Sequence, residues 1–184
     1  SPKESAKIII DHVIKGIEIA RKNNLPDRIV DFIRTHHGTS LVFYFYKKEE
    51  EINGEVKKED FQYPGPKPFS KETAILMMAD SVEAASKSLK DPTASKIDSF
   101  VENIVNSQME NGQFINANIT FKEIEIIKKV LKKEKANFLV QNTNLQKKLL
   151  SKKDSHLDSL TLFKKIPGQI DQTGKAELIV ESPV

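Results

Sequence analysis

The sequence contains no cysteine, which removes disulfides and thiolate metal sites from consideration and leaves the cellular compartment open. No apolar run approaches the ~18 residues that cross a bilayer, and no basic-then-apolar leader pattern opens the sequence. Strong charge of either sign is also missing. The formal charge is +3 over 184 residues, too weak to argue for a nucleic-acid polymer as partner. Nearly all the basic residues are lysines spread along the chain, as on a solvated surface. Hydrophobic residues make up 38% and charged residues 30%, which suits one modest core carrying a polar appendage.

What is present is helical periodicity interrupted by a few informative stretches. Ser5 to about Asn23 reads as a helix, with Ile10, Ile14 and Ile17 on one face and Ile9, Val13 and Ala20 beside them. His12 lies on the flank of that stripe. Gly16, one turn later on the same side, costs helix stability but keeps a side chain away from the imidazole. Asn24-Leu25-Pro26-Asp27 starts a second helix, with proline in the first turn and aspartate at the positive end of the dipole. Ile29, Ile33 and His37 follow at i+4 spacing, so His37 prolongs the apolar face, and Gly38 is the left-handed residue beyond the helix end. A lone helical histidine is usually a half-exposed polar residue, and one near a helix C-terminus is favoured when protonated. That accounts for one of the pair His36-His37, but not readily for the one that prolongs an inward face.

Ser40 caps a third helix, Leu41 to about Glu50, whose Phe43, Tyr44, Phe45 and Tyr46 point all round. Most of them pack, while a tyrosine leaving the core could stack on a nucleobase. Residues 51–70 form a long connection holding Tyr63-Pro64-Gly65-Pro66-Lys67-Pro68, whose prolines forbid helix and central strand. Such a loop is either a connector or a functional segment that presents Lys67 to a phosphate. Ser70 caps a fourth helix. In it Ala74-Ile75-Leu76-Met77-Met78-Ala79-Asp80 is apolar on all faces, so the helix is expected to be buried and to take Asp80 in with it. A buried carboxylate needs a metal ion, an arginine or lysine, or several donors. His12, His36, His37 and Asp80 together supply the imidazole nitrogens and carboxylate oxygen that a hard or borderline divalent metal takes.

Asp91-Pro92-Thr93 opens a fifth helix with an inward stripe of Ile97, Val101, Ile104, Val105 and Met109, ended by Asn111-Gly112. Thr120-Phe121-Lys122-Glu123 is a capping box that starts a sixth helix through Ile124, Ile127, Val130 and Leu131. From about Lys132 the text turns polar, and from Ser151 it lacks the pattern of a core. That part reads as a partly disordered tail in which His156 is incidental.

Several of these segments resemble the cytosolic HD domain of the seven-transmembrane HD hydrolases. They are Asp11-His12-Val13, Leu25-Pro26 through Asp31-Phe32-Ile33, His36-His37-Gly38-Thr39, Tyr44-Phe45-Tyr46, the Tyr63–Pro68 loop and Ala79-Asp80-Ser81-Val82-Glu83-Ala84-Ala85-Ser86. The resemblance covers roughly residues 5 to 132. It implies an all-α, HD-domain-like bundle lacking its N-terminal helices, residues 1–132, followed by a polar helical or disordered tail, residues 133–184. The activity it implies is hydrolysis of cyclic di-AMP to the linear dinucleotide with two divalent metal ions, Mn²⁺ or Fe²⁺ being the family-like choices. The parent protein would be tethered to the cytoplasmic face of the bacterial inner membrane through segments not in this sequence.

The family's ligands run as a first His, a His-Asp doublet, a single His, a His-His pair and a final Asp. His12 matches the single His, His36 and His37 the pair, and Asp80 the last Asp. The first His and the doublet are not in this sequence, so the chain alone is expected to hold metal weakly and turn over little. Thr39 or Lys67 could meet the phosphates, and Tyr44 or Tyr46 could stack on adenine. A degenerate HD domain that binds a nucleotide without cleaving it, and an inert helical fragment, are the rival readings.

Overall fold

The computed structural model describes residues 1–86, 89 and 93–135. Its elements are α1 (Pro2–Lys22), α2 (Asp27–Thr35), α3 (Phe43–Asn53), a 3-10 turn (Lys58–Phe61), α4 (Lys71–Ser86) and α5 (Ala94–Glu110). A further helix, α6, spans 121–135. Among the described residues the only β pairing is the isolated antiparallel bridge between Leu41 and Gln62, so the fold is all-α as expected. The boundary expected at 132 falls within α6, while the tail from 136 onward and His156 lie outside the described residues. No helix among the described residues is long and apolar enough to cross a membrane.

Local chemistry places the helix ends. α1 begins at Pro2, earlier than the periodicity suggests, because Ser1 and Glu4 form a reciprocal capping box. α3 begins at Phe43 rather than Leu41. Val42 N–H donates to Phe61 O at 2.8 Å and Tyr63 N–H to Ser40 O at 2.9 Å, so Leu41 pairs with Gln62 instead of joining the helix and the residue preceding α3 is Val42, not Ser40. Thr93 caps α5 by accepting from Lys96 N–H at 3.3 Å. Thr120 and Glu123 form the expected box, Glu123 N–H donating to Thr120 Oγ1 at 3.2 Å and Thr120 N–H to Glu123 Oε2 at 2.9 Å.

The main core lies between α4, α5 and α6. Ala74, Met77, Met78, Val82, Ile97, Val101, Val105, Phe114 and Ile124 are buried together. Ile75 and Leu76 are 40% and 37% exposed, so α4 is not buried all round, and Val130 likewise faces out at 52%. α1 packs on α2, α3 and the 3-10 turn, and α2 packs on α4. The buried face of α1 is Ala6, Val13 and Ala20, small residues two turns apart, whereas Ile14 is 44% exposed. A β-carbon on Gly16 would stand 3.0 Å from Ile33 Cγ2. Gly16 therefore serves the close approach of α1 to α2 rather than the surroundings of His12.

Candidate metal centre

α1 and the end of α2 bring three histidines together. His12 Nδ1 bonds to Ile9 O, and His36 Nδ1–H donates to Ile33 O at 2.6 Å. A carbonyl only accepts, so both Nδ1 atoms carry the hydrogen and both Nε2 atoms present a lone pair. Those two Nε2 atoms face each other at 3.1 Å. His37 does not continue the α2 face, because the helix ends at Thr35 with His36 as its C-cap and Ile29 is 42% exposed. It lies in the following turn, closed by Gly38 at φ +52°. Its ring is 4.0 Å from that of His36 and 5.0 Å from that of His12. One ligand nitrogen from each of the three histidines lies within 4.8 Å of the others.

Asp80 comes from α4 and completes one side, its Oδ2 3.8 Å from His37 Nδ1. Its side chain is 37% exposed, so the expectation of a buried carboxylate is corrected: Asp80 stands at the rim of the centre. Tyr63 stacks on His37, with ring centroids 4.2 Å apart and planes inclined by 21°. Burial first, and then the Asp80 charge, push its phenol pKa up, so Tyr63 remains a neutral hydroxyl. Sequence reasoning read Tyr63 only as the start of the proline-rich loop. An aromatic ring at the root of a rigid loop was the available signal.

Burial pulls the His36 pKa down, outweighing the Ile33 carbonyl and the Asp80 charge that favour protonation. Burial, then His36 and His12, lower that of His37 to about 2. Neutral imidazoles are what a cation requires. Two facing lone pairs repel unless something positive lies between them, and burial disfavours a proton on His36. The 3.1 Å nitrogen separation is close to that of adjacent ligands with metal–nitrogen bonds of about 2.0–2.1 Å. The backbone carbonyls behind His12 and His36 are the outer partners that orient ligating histidines. The donor set fits a borderline divalent cation.

Two cavities flank the centre. One of about 170 Å³ is lined by His37, Tyr44, Tyr63, Asp80 and Phe43. The other, of about 520 Å³, is lined by Thr39, Lys67, Lys58, Gln62, Asn111 and Gln113. Tyr44 and Lys67 thus each line a cavity, and the two cavities share Ser40, Leu41 and Phe43. Tyr46 lines neither. It is 7% exposed, packs against Phe61 at 5.9 Å and donates its hydroxyl to Glu50 at 3.2 Å. Thr39 is held by neighbours: its N–H donates to Gln113 Oε1 at 3.0 Å, and its carbonyl accepts from Gln62 Nε2 at 2.7 Å.

The all-α bundle brings together His12 of α1, the His36-His37 pair at the end of α2 and Asp80 of α4, the arrangement that the resemblance to HD hydrolases implies. No protein-family model matches the chain. Over 131 residues it is 44% identical to the cyclic-di-AMP phosphodiesterase PgpH of Bacillus subtilis and to that of Listeria monocytogenes. It is 38% identical to the uncharacterized protein slr0104 of Synechocystis. These matches take in 71%, 71% and 68% of this chain but only 18%, 18% and 16% of the relatives, so the chain spans less than a fifth of their length. The crystal structure of the L. monocytogenes phosphodiesterase PgpH HD domain in complex with cyclic-di-AMP superposes with a TM-score of 0.73 at 41% identity, covering 75% of this chain and 65% of that one. A second crystal structure of the L. monocytogenes phosphodiesterase PgpH HD domain gives 0.71 at 40%, covering 76% and 65%. The chain is a homologue of PgpH, and its described helices are arranged as in that protein's HD domain.

Proposed function

We propose that this chain is part of a metal-dependent phosphodiesterase domain that hydrolyses cyclic di-AMP to the linear dinucleotide. The observation that carries the reading is the pair of facing Nε2 atoms at 3.1 Å, each fixed from behind by a backbone carbonyl. His12, His36, His37 and Asp80 would hold the divalent ions, Mn²⁺ or Fe²⁺ being suited to this nitrogen and oxygen donor set. When bound, such ions supply polarisation of a phosphoryl oxygen and activation of water.

The chain's own residues do the rest. Tyr63 lies flat on His37 and limits its rotation. Tyr44, lining the smaller cavity beside His37 and Asp80, is placed to stack on a base. Lys67, lining the larger polar cavity with Lys58, is placed to meet phosphate charge. Thr39 is engaged by Gln113 and Gln62, and its role is to hold the turn. Tyr46 packs inside. Tethering of the parent protein to a membrane belongs to the same reading and rests on the homology alone.

A second reading is nucleotide binding without cleavage, and the same experiment separates the two. Metal content and cyclic di-AMP hydrolysis should be measured on this chain and on a longer version carrying whatever its gene encodes upstream. Metal with linear product, in either version, supports the enzyme. Metal and bound nucleotide without product would favour the binding module. No metal in either version, with His36→Ala indistinguishable from the parent, would sink both.

A further inference from the structure

We infer that Gln113 is a positioning residue of the metal centre, clamping the turn that carries His36 and His37 through Thr39; the inference rests on the metal-centre reading above. Gln113 lies between α5 and α6 and is only 3% exposed. A buried amide is costly unless its polar atoms are used, and here they converge on one residue 74 positions away. Gln113 Oε1 accepts from Thr39 N–H at 3.0 Å. Gln113 also meets the Thr39 hydroxyl, with Oε1 at 3.3 Å and Nε2 at 3.1 Å. Thr39 is two residues beyond His37, and Gln62 holds its carbonyl from the other side at 2.7 Å. All three polar groups of Thr39 are thereby fixed by side chains from elsewhere in the chain.

The turn is shaped around this clamp. A β-carbon on Gly38 would stand 2.4 Å from Gln113 Oε1, so the amide occupies the space that any side chain at position 38 would need. Gly65 packs against Thr39 from the proline-rich loop, where a β-carbon would stand 3.2 Å from Thr39 Cγ2. Gln113 is itself anchored, its N–H donating to Gln108 O at 3.0 Å at the end of α5. The α4–α5–α6 core is thus joined to the His36–His37 turn by hydrogen bonds as well as by packing. A site of this kind tolerates displacements of only about 0.5 Å in its ligands. Losing a direct outer partner of a metal ligand typically weakens metal binding about 10–100-fold; Gln113 bonds Thr39 and not a histidine, so its loss acts through the turn and should reach only the lower end of that range.

The test compares Gln113→Met, which fills similar space without hydrogen bonds, with Gln113→Glu, which keeps two acceptor oxygens. Mn²⁺ affinity of the 184-residue chain is measured by calorimetry, beside far-UV circular dichroism and the thermal midpoint. Expected is a Mn²⁺ affinity about 10-fold weaker in Gln113→Met, the lower end for an indirect partner, with an unchanged dichroism spectrum, and recovery of most of that loss in Gln113→Glu. Parental Mn²⁺ affinity in Gln113→Met, with only the thermal midpoint lowered, would overturn the inference and leave Gln113 a packing residue. Should Gln113→Met fail to fold, Gln113→Asn, which withdraws the amide by one methylene, carries the same comparison. If the parent chain binds no Mn²⁺, the metal reading falls separately. The clamp is then judged on the ¹⁵N signals of the histidine rings: altered His36 and His37 signals in the variant support it, and unchanged signals overturn it.

Discussion

The α4–α5–α6 half and the α1–α2–α3 half reach order by different means. The first half buries a continuous apolar cluster in which Met77, Met78, Val82, Val101 and Val105 are all at most 1% exposed. The second has a small cluster of Ala6, Tyr46 and Phe61, and otherwise relies on a close helix approach at Gly16, a cap at Ser1 and side-chain hydrogen bonds to backbone. The histidines lie in this second half, against the edge of the first. Apolar packing is tolerant of shape but cannot aim a nitrogen, whereas directed hydrogen bonds can. The site sits where a rigid apolar block can brace a polar one.

The largest test of that division is Met77→Ala. A fully buried methionine cut to alanine should cost about 2–5 kcal/mol, read as a fall in the chemical-denaturation midpoint of the whole chain. Metal affinity per folded molecule should change little, since Met77 belongs to the apolar cluster of the α4–α5–α6 core. If metal affinity falls in proportion to stability, the two halves are not separable in the way described.

Next comes Gly38→Ala, which strikes the polar half at its turn. With φ at +52°, the added methyl costs about 1–2 kcal/mol in backbone strain. It must also displace Gln113 Oε1, 2.4 Å from the new carbon. The stability loss should therefore exceed the strain alone, and metal affinity should fall with it, the reverse of the Met77 pattern.

The same contrast explains what was legible in the sequence. The α5 stripe and the Thr120–Glu123 box could be read directly, because packing there follows the 3.6-residue period. His12, His36 and His37 could be named as a group from residue type and from the resemblance, and they do converge. The turn geometry could not be read. Two i+4 steps from Ile29 pointed to His37 as the next rung of a helix, yet Gly38 at φ +52° and the Thr35 hydroxyl, which donates to Asp31 O at 2.7 Å, accompany an earlier end. Asp80 was expected inside because its neighbours are apolar, but α4 buries only one side. Gln113 was invisible as a site residue because its partner Thr39 lies 74 positions away, and Tyr63 showed only as an aromatic ring at the root of a rigid loop. A long-range hydrogen bond leaves no period in the text.

A third, smaller effect is pH dependence in the metal-free chain. Histidines titrate near 6.5 when unfolded, while burial holds His36 lower and His37 down to about 2 in the fold. Below 6.5 the unfolded chain therefore binds more protons than the folded one, so stability is complete above about 6.5 and is lost progressively as pH falls. The thermal midpoint should decline between pH 7 and 5, and His37→Gln should flatten that decline. Glu123, held down to about 2 mainly by Lys71, begins to contribute only below its ordinary 4.5 and stays out of this window. A midpoint that is flat from pH 7 to 5 would mean that the imidazoles are not buried as described.

The smallest expected change is Gly54→Ala, and it sharpens the Gly38 result. Gly54 also has a left-handed backbone, φ +79°, but it follows α3 in open space, with nothing within 4 Å of an added β-carbon. It should lose only the backbone term, about 1 kcal/mol, seen as a small drop in thermal midpoint with Mn²⁺ affinity unchanged. The contrast in Mn²⁺ affinity between the two alanine variants then reports the crowding around position 38. If the two lose the same stability and neither loses metal, the Gln113 amide yields without consequence. The polar half would then be as tolerant of shape as the apolar one.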